Sequence, residues 1–219
     1  MISTLVDSLL MVAVLLDLAM LGTSRLSGCI RLFASQSVVL SVLPVLLELH
    51  NSGNVGAHAA AIALGAIGLK GILIPWILLR ILRSGEIHRE IQPFLGFTSS
   101  VLFGAVIVIA SFGLSHRLTL PVAPAADLIL PVAISTVLIG MVILVSRLKA
   151  LTQVIGYLVV ENGVFILGLL LLEQLPILVE LGILLDLFVA VFIMGIVVYH
   201  IRQEFDHMDT HLLDTLKES

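Results

Sequence analysis

Seven stretches of this 219-residue chain run for about twenty residues with hardly a polar side chain. They span roughly 3–22, 32–49, 57–80, 95–114, 127–146, 153–173 and 177–200. About 20 mostly apolar residues are needed for a helix to cross a bilayer, and lipid leaves no partner for an open strand edge, so each stretch reads as a membrane-spanning helix. One soluble globule could not hide this much apolar surface. The apolar fraction is 59%, the charged fraction 12% and the mean hydropathy +1.20, against about 45–50% apolar and 25% charged in ordinary soluble domains. Strand-type alternation in short segments, the mark of a membrane barrel, is absent. The expected fold is therefore all-α and polytopic, with a seven-span membrane domain over residues 1–202 and a short polar tail over 203–219.

The connections between the stretches carry the usual breakers: Ser24-Arg25 and Ser27-Gly28, Asn51-Ser52-Gly53-Asn54, Arg83-Ser84-Gly85-Glu86, Ser115-His116-Arg117 and Gln174-Leu175-Pro176. No positive charge precedes Arg25, so the first stretch lacks the basic region of a cleavable signal peptide and reads as a retained span. The chain shows no internal repeat, and seven spans suit an inverted-repeat transporter poorly. Lys and Arg near span ends stay on the cytoplasmic side. Arg25, Arg31, Arg80, Arg83, Arg89, Arg147, Lys149, Arg202 and Lys217 then share one side, leaving Arg117 and the intramembrane Lys70 as exceptions. The expected orientation has the N-terminus outside and the C-terminus in the cytoplasm.

Several function classes fall away on composition. A net charge of −4 with scattered basic residues gives no attraction to nucleic acid. Cys29 is the single cysteine, which excludes a disulfide framework and Cys-ligated zinc or iron–sulfur sites within the chain. There is no nucleotide-binding loop or dinucleotide fingerprint. None of the seven histidines lies at mid-span, which disfavours a haem held between facing helices, and the last span has no lysine for a retinal Schiff base.

The informative residues are charges where lipid should be. A charge at the bilayer centre costs at least about 2.5–3.5 kcal/mol and commonly marks an ion or proton path. Lys70 in the third span, Glu161 in the sixth and Asp186 in the seventh lie near mid-span. With about 1.5 Å of rise per residue, Lys70 and Glu161 come out at one depth and Asp186 about 6 Å further outward. Desolvation favours a neutral carboxylic acid while a neighbouring ammonium favours its ionised form, so such a group can exchange a proton when its surroundings change. The bland alternative is a static pair that holds helices together. Asp17 shares the depth of Gln36 and Ser37 and is either part of an access route or a lone acid at a helix interface. Glu180, one turn into the seventh span, stays ambiguous. Asn162-Gly163 after Glu161 and Pro75 five residues after Lys70 suggest helix irregularities beside both charges, although a packing glycine or simple kink is the plainer reading of each.

Ile155-Gly156-Tyr157-Leu158-Val159-Val160-Glu161-Asn162-Gly163 resembles the G-Y-x-x-x-E-N-G signature of the hydrogenase-4 component E family. Leu178-Val179-Glu180-Leu181-Gly182-Ile183-Leu184-Leu185-Asp186 resembles its L-V-E-x-G-I-x-x-D pattern. Arg25-Leu26-Ser27 with Ala34-Ser35-Gln36-Ser37, and Lys70 with Pro75, resemble its first connection and third span. The resemblance covers most of the chain. It implies a membrane subunit, not itself an enzyme, of a group 4 nickel–iron hydrogenase or formate hydrogenlyase-type complex in a prokaryotic inner membrane. The last spans are similar to the K subunit of respiratory complex I. Glu161, Asp186 and Lys70 would form a proton relay, with Asp17, Gln36, Glu180 and Asn162 in support. Partners would be antiporter-like membrane subunits, surrounding lipid and a cytoplasmic hydrogenase-like arm. No cofactor is expected in this chain; nickel–iron and iron–sulfur centres would sit in partner subunits. The competing expectations are a subunit of a multisubunit cation/proton antiporter, a stand-alone ion transporter, or a structural anchor.

Overall fold

Thr23-Ser24-Arg25 makes the first turn of the chain in only three residues. In the computed structural model, which describes residues 2–54, 56–84, 96–118, 127–147 and 150–171, α1 (Ile2–Gly22) ends there and α2 (Leu26–Ser41) starts directly after an extended Arg25. Thr23 closes α1 by donating from its hydroxyl to the Ala19 carbonyl at 2.7 Å and from its backbone N–H to Met20 O at 3.3 Å. Gly28 and Arg31, expected in or beside a connection, are already helical.

Pro44 breaks the second span. Its ring clashes with the preceding turn and it has no N–H to give, so α2 stops at Ser41 and α3 (Leu43–Ser52) restarts with Pro44 in its first turn. Gly53 ends α3 at φ +72°, a left-handed position that glycine adopts without strain.

The third span is α4 (Ala57–Ala66), a π-helical segment (Ile67–Leu73) and α5 (Ile74–Ser84). The wide turn comes just before Pro75, and Ile74 N–H reaches back five residues to Leu69 O. Widening the helix there accommodates a proline that cannot join the ordinary ladder. Then follow α6 (Phe97–Ser115), α7 (Ile129–Ser146), an extended Arg147, and α8 (Ala150–Leu171). Every regular element among the described residues is helical. Among the described residues six spans, Ile2–Gly22, Leu26–His50, Ala59–Arg83, Phe97–Ser115, Ile129–Ser146 and Leu151–Leu170, are long and apolar enough to cross a membrane. The seventh expected span, with Glu180 and Asp186, and the expected tail lie outside the described residues.

The helices α1, α2, α7 and α8 form the centre. Outside them, α6 packs on α1 and α7, while the π segment and α5 pack on α2. The closest contact is α7 against α8, and glycine is the cause. A Cβ on Gly156 would lie 2.6 Å from Leu144 N, one on Gly140 2.6 Å from Val160 N, and one on Gly163 2.7 Å from Val137 N. Backbone therefore meets backbone along this seam, the small-residue packing that membrane helices use where no hydrophobic force drives association. Gly163 acts as a packing glycine and α8 runs through it without interruption.

The apolar interior is in two parts. One cluster holds Met20, Leu21, Phe33, Ile139, Ile143, Leu158 and Val159, at the end of the bundle where Arg25 and Arg147 lie. The other holds Leu10, Val14, Leu40, Val132, Ala133 and Ile166. The membership switches between Val14 and Met20 in α1, Phe33 and Leu40 in α2, Ala133 and Ile139 in α7, and Val159 and Ile166 in α8. These four gaps stand at one level, and they contain the polar residues described next.

Candidate functional site

Each central helix brings at least one buried polar side chain to the gap. α1 brings Asp17, α2 Gln36 and Ser37, α7 Thr136, and α8 Glu161 and Asn162. Gln36 Nε2 donates to Asp17 Oδ1 at 2.7 Å, and Thr136 Oγ1 is hydrogen-bonded to Asp17 Oδ2 at 2.7 Å. Asn162 Nδ2 donates to Gln36 Oε1 at 3.3 Å and to Ser37 Oγ at 3.1 Å. A hydrogen-bonded thread thus runs from α7 through α1 and α2 to α8. Each member is polar at the one level where its helix leaves the apolar clusters, and each finds its hydrogen-bond partner in another member, as buried polar groups must.

At the α8 end of the thread stands an ion pair. Lys70 Nζ lies 2.5 Å from Glu161 Oε1, both side chains being buried. The ammonium also stands 5.7 Å from the centroid of the Phe165 ring, one turn along α8 from Glu161, within cation–π range. Lys70 is at the centre of the π segment, and Gly71 beside it lets α2 come close, since a Cβ there would be 2.8 Å from Val38 Cγ2. The widened turn, the flanking glycine and Pro75 together seat the lysine in the bundle.

Of the residues expected from sequence, the structure brings Lys70 to Glu161 and joins Asp17, Gln36 and Asn162 in one network. Asp186 and Glu180 fall outside the described residues. Sequence reasoning missed Thr136; its signal was Ser135-Thr136 interrupting an otherwise apolar span. It also placed Arg147 simply among the basic residues of a connection. Arg147 is 1% exposed. It donates from Nη2 to Leu21 O at 2.8 Å and its guanidinium stands 5.2 Å from the Phe97 ring centroid. It thus serves the carbonyl end of α1, where a cation suits the helix dipole. Asn162, the chain neighbour of Glu161, thus connects the helix that carries the ion pair to Gln36 and through it to the second buried carboxyl, Asp17.

Hydrogenase-4 component E of Escherichia coli is 30% identical to this chain over 148 residues, 68% of each protein. The chain belongs to the hydrogenase-4 component E family. The component E protein of Shigella flexneri matches to the same extent. An uncharacterized protein of Mycobacterium tuberculosis is 28% identical over 218 residues, 99% of this chain and 96% of the relative. No model of a known family matches the chain, and no solved structure matches it. The family sequence signature around Glu161 now has a structural reading. Gly156 and Gly163 form the α7 contact, while Glu161 and Asn162 between them project into the polar layer.

Proposed function

We propose that this component E homologue is a non-catalytic membrane subunit of a respiratory-type hydrogenase complex in a prokaryotic cytoplasmic membrane. In this reading its Lys70–Glu161 pair passes protons in step with redox chemistry on partner subunits. The supporting observation is the buried ion pair set in a polar layer that divides the apolar core of four spanning helices. A charged pair at that level is expensive, because lipid-buried charges cost several kcal/mol even when partnered, and that cost is what argues for a use. The family's name supplies the hydrogenase; nickel–iron and iron–sulfur centres belong, in this reading, to the partners. Asp186 of the seventh stretch is the proposed next carboxyl toward the outside, and the basic residues set the N-terminus outside and the C-terminus inside.

The relay works by changing the company of a carboxylate. In this reading Glu161 gives up a proton when Lys70 closes on it and takes one back when Lys70 withdraws. Glu161→Gln removes the titrating proton and keeps shape. Assembled complex carrying it should retain its subunits and lose proton pumping in vesicles; pumping at the wild-type rate would end the relay reading.

A further inference from the structure

α5 divides its surface by residue type. Leu78, Ile81 and Leu82 are buried in the apolar cluster, whereas Trp76, Arg80 and Arg83 share the opposite face and are exposed. Ile72 and Leu73, 63% and 44% exposed, carry that face back along the third span. Trp76 is 55% exposed, and the Arg80 guanidinium stands 5.2 Å from its ring centroid, within cation–π range. With about 1.5 Å of rise per residue, Trp76 lies about 10 Å further into the membrane than Arg83, and Leu73 and Ile72 lie deeper still. The order along the face is therefore cations, an indole and then aliphatic side chains.

A phospholipid presents the complement in the same order: a phosphodiester, a glycerol and carbonyl zone, and acyl chains. Tryptophan rings settle at headgroup level, and arginine stems lie along apolar surface while their charges reach the headgroups. Charge at this end has one sign among the described residues. Asp17 and Glu161 belong to the polar layer, and Asp7, Glu48 and Asp127 lie at the far end of the bundle. Arg25 and Arg31, both exposed, add to the positive end from α2, which packs on α5. Membrane helices meet one another through small or polar residues, whereas this face offers Leu69, Ile72, Leu73 and Trp76 to its surroundings.

We infer that this face of the third span is a seat for an anionic phospholipid, whose phosphate meets Arg80 and Arg83 and whose acyl chains lie along Trp76, Leu73, Ile72 and Leu69. Leu69, Ile72 and Leu73 belong to the π segment that carries Lys70, so the seated lipid braces the widened turn from its membrane side. The seat stands whether or not Lys70 relays protons.

The test is photo-crosslinking in membranes containing assembled complex. The probe is phosphatidylglycerol with a diazirine in its acyl chain, the reference is the matched phosphatidylcholine, and adducts are mapped to residues by mass spectrometry. The seat predicts adducts on Leu69, Ile72, Leu73 and Trp76, with phosphatidylglycerol in excess by about fivefold for each arginine near anionic lipid. Arg80→Gln with Arg83→Gln should bring the ratio of the two lipids close to one, while Arg80→Lys with Arg83→Lys should keep most of the excess. Equal labelling by the two lipids in wild type would show ordinary surrounding lipid and overturn the seat. Labelling elsewhere in the complex with none on this face would show another subunit covering it and overturn the seat equally. An excess that appears only in Glu86→Gln with Glu90→Gln would make the connection after α5 the arginines' counter-charge, which also overturns it.

Discussion

Asn162 joins the two halves of the buried polar layer, because its amide serves both Gln36 and Ser37 while its neighbour Glu161 holds Lys70. Asn162→Leu would fill similar space but leave Gln36 Oε1 and Ser37 Oγ short of a donor, at about 1–3 kcal/mol for each buried group left unpaired. The expected result is a lowered melting temperature of the complex, with assembly at permissive temperature, checked by thermal scanning of membranes. The Lys70–Glu161 pair offers a sharper test of purpose. A static pair predicts that either single change costs about 3–5 kcal/mol and that the double replacement by neutral residues recovers most of it. A relay predicts that Lys70→Met with Glu161→Gln restores stability but leaves pumping lost. The two readouts, melting temperature and proton flux in the same preparation, separate these cases.

At the level of elements, the α7–α8 seam sets the geometry of the layer. Gly140, Gly156 and Gly163 let the backbones touch, and this contact fixes where Glu161 and Asn162 enter the interior. Gly156→Leu should force the helices apart, at a cost above the usual 1–3 kcal/mol of overpacking because backbone atoms are the obstacle. It should therefore reduce recovery of assembled complex, visible by native gel, whereas Gly113→Leu on α6, where a Cβ meets nothing within 4 Å, should assemble normally. The π segment is the second such device. The motif of a lysine followed at five residues by proline predicted an irregular helix, and the irregularity is a widened turn that seats Lys70 against α2 and α8.

Through the height of the bundle, the polar layer lies between two apolar clusters, and most of the described basic residues gather beyond one of them. Arg25, Arg31, Arg80, Arg83 and Arg147 end up at the side where α1 finishes and α2 begins. The orientation proposed from the positive-inside bias puts that side in the cytoplasm, so a reporter placed between Asn51 and Asn54 should read as external. A cytoplasmic reading there would overturn the orientation. Much of α6 and of the third span is exposed apolar surface, including Leu102, Val106, Ile109, Leu64 and Ile72, as expected of faces that meet lipid or other membrane subunits.

Six of the seven expected spans, the buried charges Asp17, Lys70 and Glu161, and their paired depths were readable along the chain. Hydropathy is a local sum, and rise per residue converts a position in a helix into depth by arithmetic. The equal depth computed for Lys70 and Glu161, and for Asp17 and Gln36, is met by two direct contacts. Depth alone says nothing of azimuth, of which helices are neighbours, or of how close their backbones come. Those depend on packing between segments far apart in sequence: Thr136 reaches Asp17 across 119 positions, and Arg147 reaches Leu21 across 126. For that reason the charged residues could be found in the sequence, whereas the thread connecting them, and the burial of an arginine expected in a loop, were decided by tertiary structure.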